Sequence, residues 1–240
     1  METINERQKN ILRMIVGDYI NWARPVGSAW LVRRHKMSCC SATVRHDMVE
    51  LEKSGYLKQF HTSSGRIPTI VGYRYFIDHL MAAKDLPPRF RRRMSLVLGS
   101  LDSTKYSQAV KVLATEVANI TDSLVIISMP EDRWYMNGMQ YILNRPEFRD
   151  GQLTQRMGIL LDRIDHIIAD LRRQLPDGTY RVYLDDELNY DYTRDLAFAV
   201  KKFRDPFGES HIFGSVGPVR MDYQILPKLM DFASKMLEDF

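Results

Sequence analysis

Cysteine is nearly absent: the 240 residues hold two, adjacent at Cys39 and Cys40. Neighbouring thiols build no disulfide framework, so stability has to come from a hydrophobic core. Long apolar runs are missing too. The longest, around Leu124–Met129, falls far short of the roughly 20 residues that a membrane-spanning helix needs. The N-terminal Met1-Glu2-Thr3-Ile4-Asn5-Glu6 is acidic and polar, where a secretory signal carries a basic stub before an apolar stretch. The expectation is a cytoplasmic protein with no membrane partner. Internal repeats and low-complexity tracts are lacking. So are a Gly-rich phosphate loop, a nucleophile elbow and a paired-His motif, so the reading is a non-enzyme without a cofactor.

What is present is ordinary globular material, 45% hydrophobic and 27% charged, with enough length for a real core in one large domain or two modest ones. The net charge of +4 hides an asymmetry. Residues 1–93 hold 17 Lys and Arg against 8 Asp and Glu, a net of +9, whereas residues 94–240 hold 17 against 22, a net of −5. A basic front on an acidic back predicts a polyanion-binding domain joined to a domain with another task.

Thr3-x-x-Glu6 reads as a capping box, followed by Ile11, Leu12, Ile15, Val16 and Tyr19 at helical spacing, which predicts a first helix from about Ile4 to Trp22. Arg24-Pro25-Val26-Gly27 breaks it. Ser28 caps a short second helix, Ala29 to His35, and Ser41 caps a third that runs to Ser54 and stops at a left-handed Gly55. Val44, Met48 and Leu51 share one face of the third helix. The opposite face carries Ala42, His46, Val49 and Lys53, flanked by Thr43, Arg45 and Glu50. Tyr56–Phe60 and Ile67–Thr69 are short strands around the loop 61–66, and Tyr73, Phe76, Ile77 and Leu80 place a fourth helix.

Beyond Pro87-Pro88 the pattern gives helices at about 89–101 and 104–121 and a buried strand at Leu124–Met129. A segment, Trp134–Leu143, is open between strand and helix. One long amphipathic helix is predicted over Leu153–Leu175. Strands follow at Tyr180–Leu184, Leu196–Phe203 and His211–Val216, with a turn at Pro206-Phe207-Gly208, and a closing helix covers Asp222–Phe240. The fold class is therefore α+β with an antiparallel flavour, divided as residues 1–84, a basic linker helix at 85–103, and 104–240.

Three helices followed by a two-stranded hairpin are the order of a winged helix-turn-helix. The third helix keeps a polar outer face suited to a major groove, and its N-terminus presents free N–H groups to a phosphate. The DNA-contact candidates are Ser41, Thr43, Arg45 and His46 on that helix, with Thr62, Ser63, Ser64 and Arg66 in the wing. The wing hydroxyls suit phosphate oxygens, and Arg66 suits a narrow minor groove. The competing reading is a ligand- or protein-sensing winged-helix regulator with a different operator.

These residues carry a resemblance. Pro25-Val26-Gly27-Ser28, Ser41 through Glu52, Gly55-Tyr56-Leu57, and His61-Thr62-Ser63-Ser64-Gly65-Arg66-Ile67-Pro68-Thr69 with Gly72-Tyr73-Arg74-Tyr75 resemble the N-terminal region of the bacterial heat-inducible transcription repressor HrcA family. Asn144-Arg145-Pro146-Glu147-Phe148 and Gly214 through Tyr223 resemble that family's later segments. The resemblance implies a winged-helix domain followed by a GAF-like α+β domain. It also implies repression of chaperone operons through an inverted-repeat operator on double-stranded DNA, a homodimer, and the chaperonin GroEL as a partner.

Three departures stand out. The family's dimerising domain, inserted between the counterparts of Leu124–Pro130 and Trp134–Leu143, looks absent. His46 stands where the family usually has Asn, a bidentate adenine reader. Cys40 stands where the family usually has Ser. Of the remaining signals, His35, Cys39, Cys40 and His46 make a poor zinc set, because adjacent cysteines chelate badly. Asp185, Asp186, Glu187 and Asp191 lack the glycine and terminal glutamate of a calcium loop. Arg89–Arg93 suits either DNA phosphates or a solvated helix face. Arg220 and Asp222 are expected to pair locally.

Overall fold

Local capping sets where the first helix begins. The computed structural model describes residues 4–59, 65–101, 105–131, 133–149 and 151–240. Helix α1 (Glu6–Trp22) starts at Asn5, whose side chain accepts from the Gln8 N–H while the Gln8 side chain returns to the Asn5 N–H. The capping box at the helix start is thus Asn5/Gln8, while Thr3 of the expected box lies outside the described residues. Asn is as good an N-cap as Thr or better, and this register satisfies two free donors at once. Helix α2 (Ser28–His35) begins after Gly27, so Ser28 sits inside the first turn and not at the cap. Helix α3 (Ser41–Lys53) has Cys40 at its N-cap, which displaces Ser41 from that role, and Gly55 follows its end at φ +82° as expected.

The Ile11, Leu12, Ile15 and Val16 face of α1, Leu31 of α2 and the Val44, Met48 and Leu51 face of α3 are buried together. Full burial of such a side chain contributes about 1.5–3 kcal/mol. Strands β1 (Leu57–Gln59) and β2 (Arg66–Pro68) pair antiparallel, Leu57 opposite Pro68 and Gln59 opposite Arg66. Val26 adds a further bridge, exchanging both backbone hydrogen bonds with Arg66 at 2.9 Å. Helix α4 (Ile70–Tyr75) is capped by Thr69 and continues as a π-helical turn over Phe76–Leu80. The chain divides into two compact units, Met1–Ala82 and Ala83–Phe240.

The second unit is built on a five-stranded antiparallel sheet in the order β4-β3-β7-β6-β5. Its strands are β3 (Leu124–Met129), β4 (Arg133–Asn137), β5 (Tyr180–Leu184), β6 (Leu196–Arg204) and β7 (Ser210–Pro218). Helix α5 (Pro88–Gly99) belongs to this unit. It buries Phe90, Met94 and Leu98, and the Phe90 ring lies 5.7 Å from Phe232. Helices α6 (Tyr106–Thr121) and α10 (Leu226–Glu238) pack against β3 and β6. Lys201 of β6 ties to Asp231 of α10 at 2.6 Å.

The segment left open at Trp134–Leu143 is both things: β4, then helix α7 (Met139–Leu143). Met129 and Arg133 face each other directly across the hairpin, at the place where the family resemblance puts its inserted domain. The helix predicted over Leu153–Leu175 is two, α8 (Gln152–Asp162) and α9 (Ile164–Gln174), broken at Arg163, whose φ of −120° is not helical. Leu153, Met157, Leu160, Ile164, Ile168 and Leu171 still face the core shared with Ile126, Phe198 and Val216. The apolar period thus runs through a break that only the backbone records.

The two later family-like segments meet. Arg220 pairs with Glu147 at 2.6 Å, and Asp222 pairs with Lys84 at 2.8 Å. The expected local Arg220–Asp222 pairing is therefore corrected: each reaches a residue distant in sequence. Among the described residues, no helix is long and apolar enough to cross a membrane.

Candidate nucleic-acid interface

Helix α3 is held from beneath by charge as well as by apolar packing. Asp47 is buried on its inner face and receives both Nε and Nη2 of Arg7, at 2.6 and 3.1 Å. This bidentate clamp fixes α3 against α1. The residue was legible in principle, because Asp47 lies three positions after Val44 and one before Met48, on the core face. In the same unit Asp18, also buried, accepts from Trp30 Nε1 at 3.1 Å and contacts His35 Nε2 at 3.2 Å. That fixes the start and end of α2 to α1.

With its inner face pinned, α3 presents Ser41, Ala42, Arg45 and His46 to solvent and leaves Thr43 half-buried. Four of the predicted contact residues, Ser41, Thr43, Arg45 and His46, thus fall within the first turn and a half of one helix. The helix N-terminus is open: Cys40 makes no side-chain cap to a backbone N–H, and its sulfur lies 3.3 Å from Thr43 Oγ1. That Thr43 hydroxyl, then the backbone N–H groups of Thr43 and Ala42, hold the exposed Cys40 thiol below the ordinary thiol range. The same donors favour any anion placed at this end of the helix. Of the poor zinc set, His35 contacts Asp18 and Cys40 contacts Thr43.

The wing divides differently from expectation. Thr62, Ser63 and Ser64 lie outside the described residues. Arg66 is described, and its side chain is only 11% exposed, with Nε 2.9 Å from Glu52 Oε2. The same Glu52 carboxylate accepts the Gln59 N–H of β1. Arg66 therefore does not extend as an arm in this structure. It braces the hairpin base to the end of α3, because a paired and covered guanidinium is costly to free. Gly65 beside it is a close-approach position: a Cβ there would meet the Val26 carbonyl carbon at 2.4 Å. Glu52, Asp47, Asp18 and Arg7 are the supporting residues that sequence reading had not singled out.

A second surface of this unit is aromatic. Trp22 and Trp30 meet edge to face at 5.5 Å, and the Arg34 guanidinium sits 5.0 Å from the Trp22 ring. Both indoles are about two-fifths exposed. In the second unit, Arg89, Arg91 and Arg92 are exposed along α5, while Arg93 is paired with Glu116 at 2.7 Å. In the acidic loop after β5, Asp185 accepts the Asp195 N–H and Glu187 accepts the Leu184 N–H.

Comparison with known proteins gives this architecture a lineage. The family described as the HrcA protein C terminal domain matches residues 87–226. A heat-inducible transcription repressor HrcA from Acetivibrio thermocellus is 37% identical over 132 residues, covering 54% of this chain and 37% of that protein. One from Bifidobacterium adolescentis is 41% identical over 185 residues, covering 76% of this chain and 47% of that protein. The chain thus spans less than half the length of these curated relatives, whose names are those of regulators and not of enzymes. A crystal structure described as a hypothetical protein at 2.2 Å resolution shares the fold, with a TM-score of 0.77 at 16% identity over 99% of this chain and 98% of that one. A family match that runs across most of the second unit, with relatives of this identity, places the chain in the HrcA family.

Proposed function

We propose that this protein is a sequence-specific transcriptional repressor of heat-shock, chaperone-type genes, working in the cytoplasm and binding an inverted-repeat operator as a homodimer. The observation that carries the reading is the outer face of α3. Ser41, Thr43, Arg45 and His46 lie together on a helix whose inner side is pinned by Asp47 and whose N-terminus is open. In this role the helix N-terminus with Ser41 and Thr43 takes a phosphate, while Arg45 and His46 address base edges. The wing residues Thr62, Ser63 and Ser64 grip the flanking backbone, with Arg66 setting the base of the hairpin. The names of the curated relatives support the reading.

A GAF-like second unit then acts as the regulatory body. The net of −5 over its residues 94–240 keeps that part off phosphate, and a dimer contact through α6, the α8–α9 face or α10 matches two winged helices to two half-sites. A chaperonin of the GroEL type is the expected modulator.

The test is a fluorescence anisotropy titration of the full chain on an inverted-repeat probe across a salt series, with sedimentation in parallel. Two chains are expected per probe. Arg45→Ala is expected to weaken binding and to lower the salt slope by about one. A strictly monomeric complex, or an unchanged slope, overturns the assignment. Capture of a stable protein partner with no shift of any inverted repeat favours the sensing-regulator reading instead.

A further inference from the structure

The second unit carries a positive, aromatic groove that DNA reading does not use. The outward face of α9 and the short 3-10 turn Asp191–Thr193 border an open hollow of about 620 Å³, lined chiefly by Arg163, His166, Asp170, Arg173, Tyr190 and Tyr192. A smaller hollow of about 390 Å³ adjoins it across Ala169 and Arg172 and reaches Arg133 and Trp134. These volumes fall within the ~300–1,000 Å³ range of small-molecule sites.

Arg163, His166, Asp170 and Arg173 recur at helical spacing on one face, and exposed Ala169 leaves the floor between them bare. The Tyr190 and Tyr192 rings stack at 5.2 Å with 22° between planes, and the Arg163 guanidinium lies 5.9 Å from the Tyr192 ring. The break between α8 and α9 at Arg163 is what sets this residue at the mouth of the groove.

Charge decides what fits. Four arginines face two carboxylates around the two hollows, in a part of the chain whose net charge is −5. Both carboxylates are spent as scaffold. Asp170 accepts from Tyr190 Oη and from Arg173, and Asp165 accepts Trp134 Nε1 at 2.7 Å. A concentrated positive island within the acidic stretch 94–240 selects anions, and flat stacked rings select a planar partner.

We propose that this groove binds a small aromatic anion, a molecule joining a planar ring to a phosphate or a carboxylate. The ring lies against the Tyr190–Tyr192 platform and the anionic group meets the Arg163 and Arg173 guanidinium forks.

Isothermal titration of the full chain with adenosine diphosphate, benzoate, adenosine and inorganic phosphate tests this. Saturable binding by adenosine diphosphate or benzoate is expected, with adenosine and phosphate at least about tenfold weaker. Adenosine diphosphate alone identifies a phosphate source, and benzoate alone a carboxylate source. Tyr192→Leu and Arg163→Gln are each expected to weaken binding about tenfold, with thermal melts confirming that both variants fold. Arg181→Gln removes a guanidinium 4.9 Å from the Tyr183 ring, outside the groove, and leaves binding unchanged. Absence of binding by both anions, or binding that neither groove variant weakens, overturns the proposal, as does an equal loss in Arg181→Gln.

Discussion

At the scale of single residues, the winged-helix unit depends on buried charges that look like surface charges in the sequence. Arg66 and Glu52 are the clearest pair. Read as a string, Arg66 is an exposed wing arginine; folded, it lies against Glu52 with only 11% of its side chain exposed. A double-mutant cycle of Arg66→Ala and Glu52→Ala, read by chemical denaturation, is expected to give a coupling of about 1 kcal/mol or more, since removing either partner strands the other. Arg66→Ala is also expected to change the salt slope of DNA binding less than Arg45→Ala does. A slope change equal to that of Arg45→Ala would restore Arg66 as a direct phosphate contact. Cys40 shows the reverse case, a residue that looks inert and is not. Placed at the N-cap, its thiol lies 3.3 Å from the Thr43 hydroxyl, which draws it below the ordinary thiol range, and it leaves the backbone donors of the helix start uncapped.

At the scale of elements, close packing of backbone on backbone fixes the joints. In α4, a Cβ on Gly72 would lie 2.1 Å from the Tyr56 carbonyl oxygen, a contact with main chain that has no side chain to move aside. Gly17 in α1 has nothing within 4 Å of its would-be Cβ. Gly72→Ala is therefore expected to destabilise the unit by about 2–4 kcal/mol, and Gly17→Ala to stabilise it by about 0.5–1 kcal/mol through helix propensity. Thermal unfolding of both variants checks the pair, and equal effects would contradict the packing assigned to the α4–β1 joint. The α8–α9 break belongs at this scale too. Apolar spacing runs through Leu160, Ile164 and Ile168 without a gap, so periodicity reads one helix while the backbone bends at Arg163.

At the scale of the whole molecule, the sheet of the second unit contains a buried titratable pair. His211 of β7 is almost fully covered, with Nε2 3.1 Å from Asp205 Oδ2. Burial pushes its pKa below the usual histidine value, and this outweighs the upward pull of Asp205. Below about pH 6.5 the unfolded chain then binds a proton that the native protein resists, so stability falls as the pH drops through that value. Asp177 and Asp231 are held low by Ser210 and Lys201 respectively, so their contribution is lost only below about pH 4, in a separate window. Urea denaturation at about pH 7.5 and 5.5 is expected to show a loss for the natural chain and a nearly flat response for His211→Gln. An identical loss in both would place the effect elsewhere.

Much of this molecule was settled by local chemistry. The three helices and hairpin of the first unit, the strand at Leu124–Met129 and the turn at Pro206-Phe207-Gly208 follow from apolar spacing and turn residues within short windows. So does the exposed face of α3, because Val44, Met48 and Leu51 leave only one side for Arg45 and His46. Tertiary structure decided what depends on partners distant in sequence: Arg66 on Glu52, Asp47 on Arg7, Arg220 on Glu147, and α5 packed into the second unit. A charge has no periodicity to announce whether it faces water or another charge. Its role is fixed only when folding brings the opposite charge, or burial, to within a few ångströms.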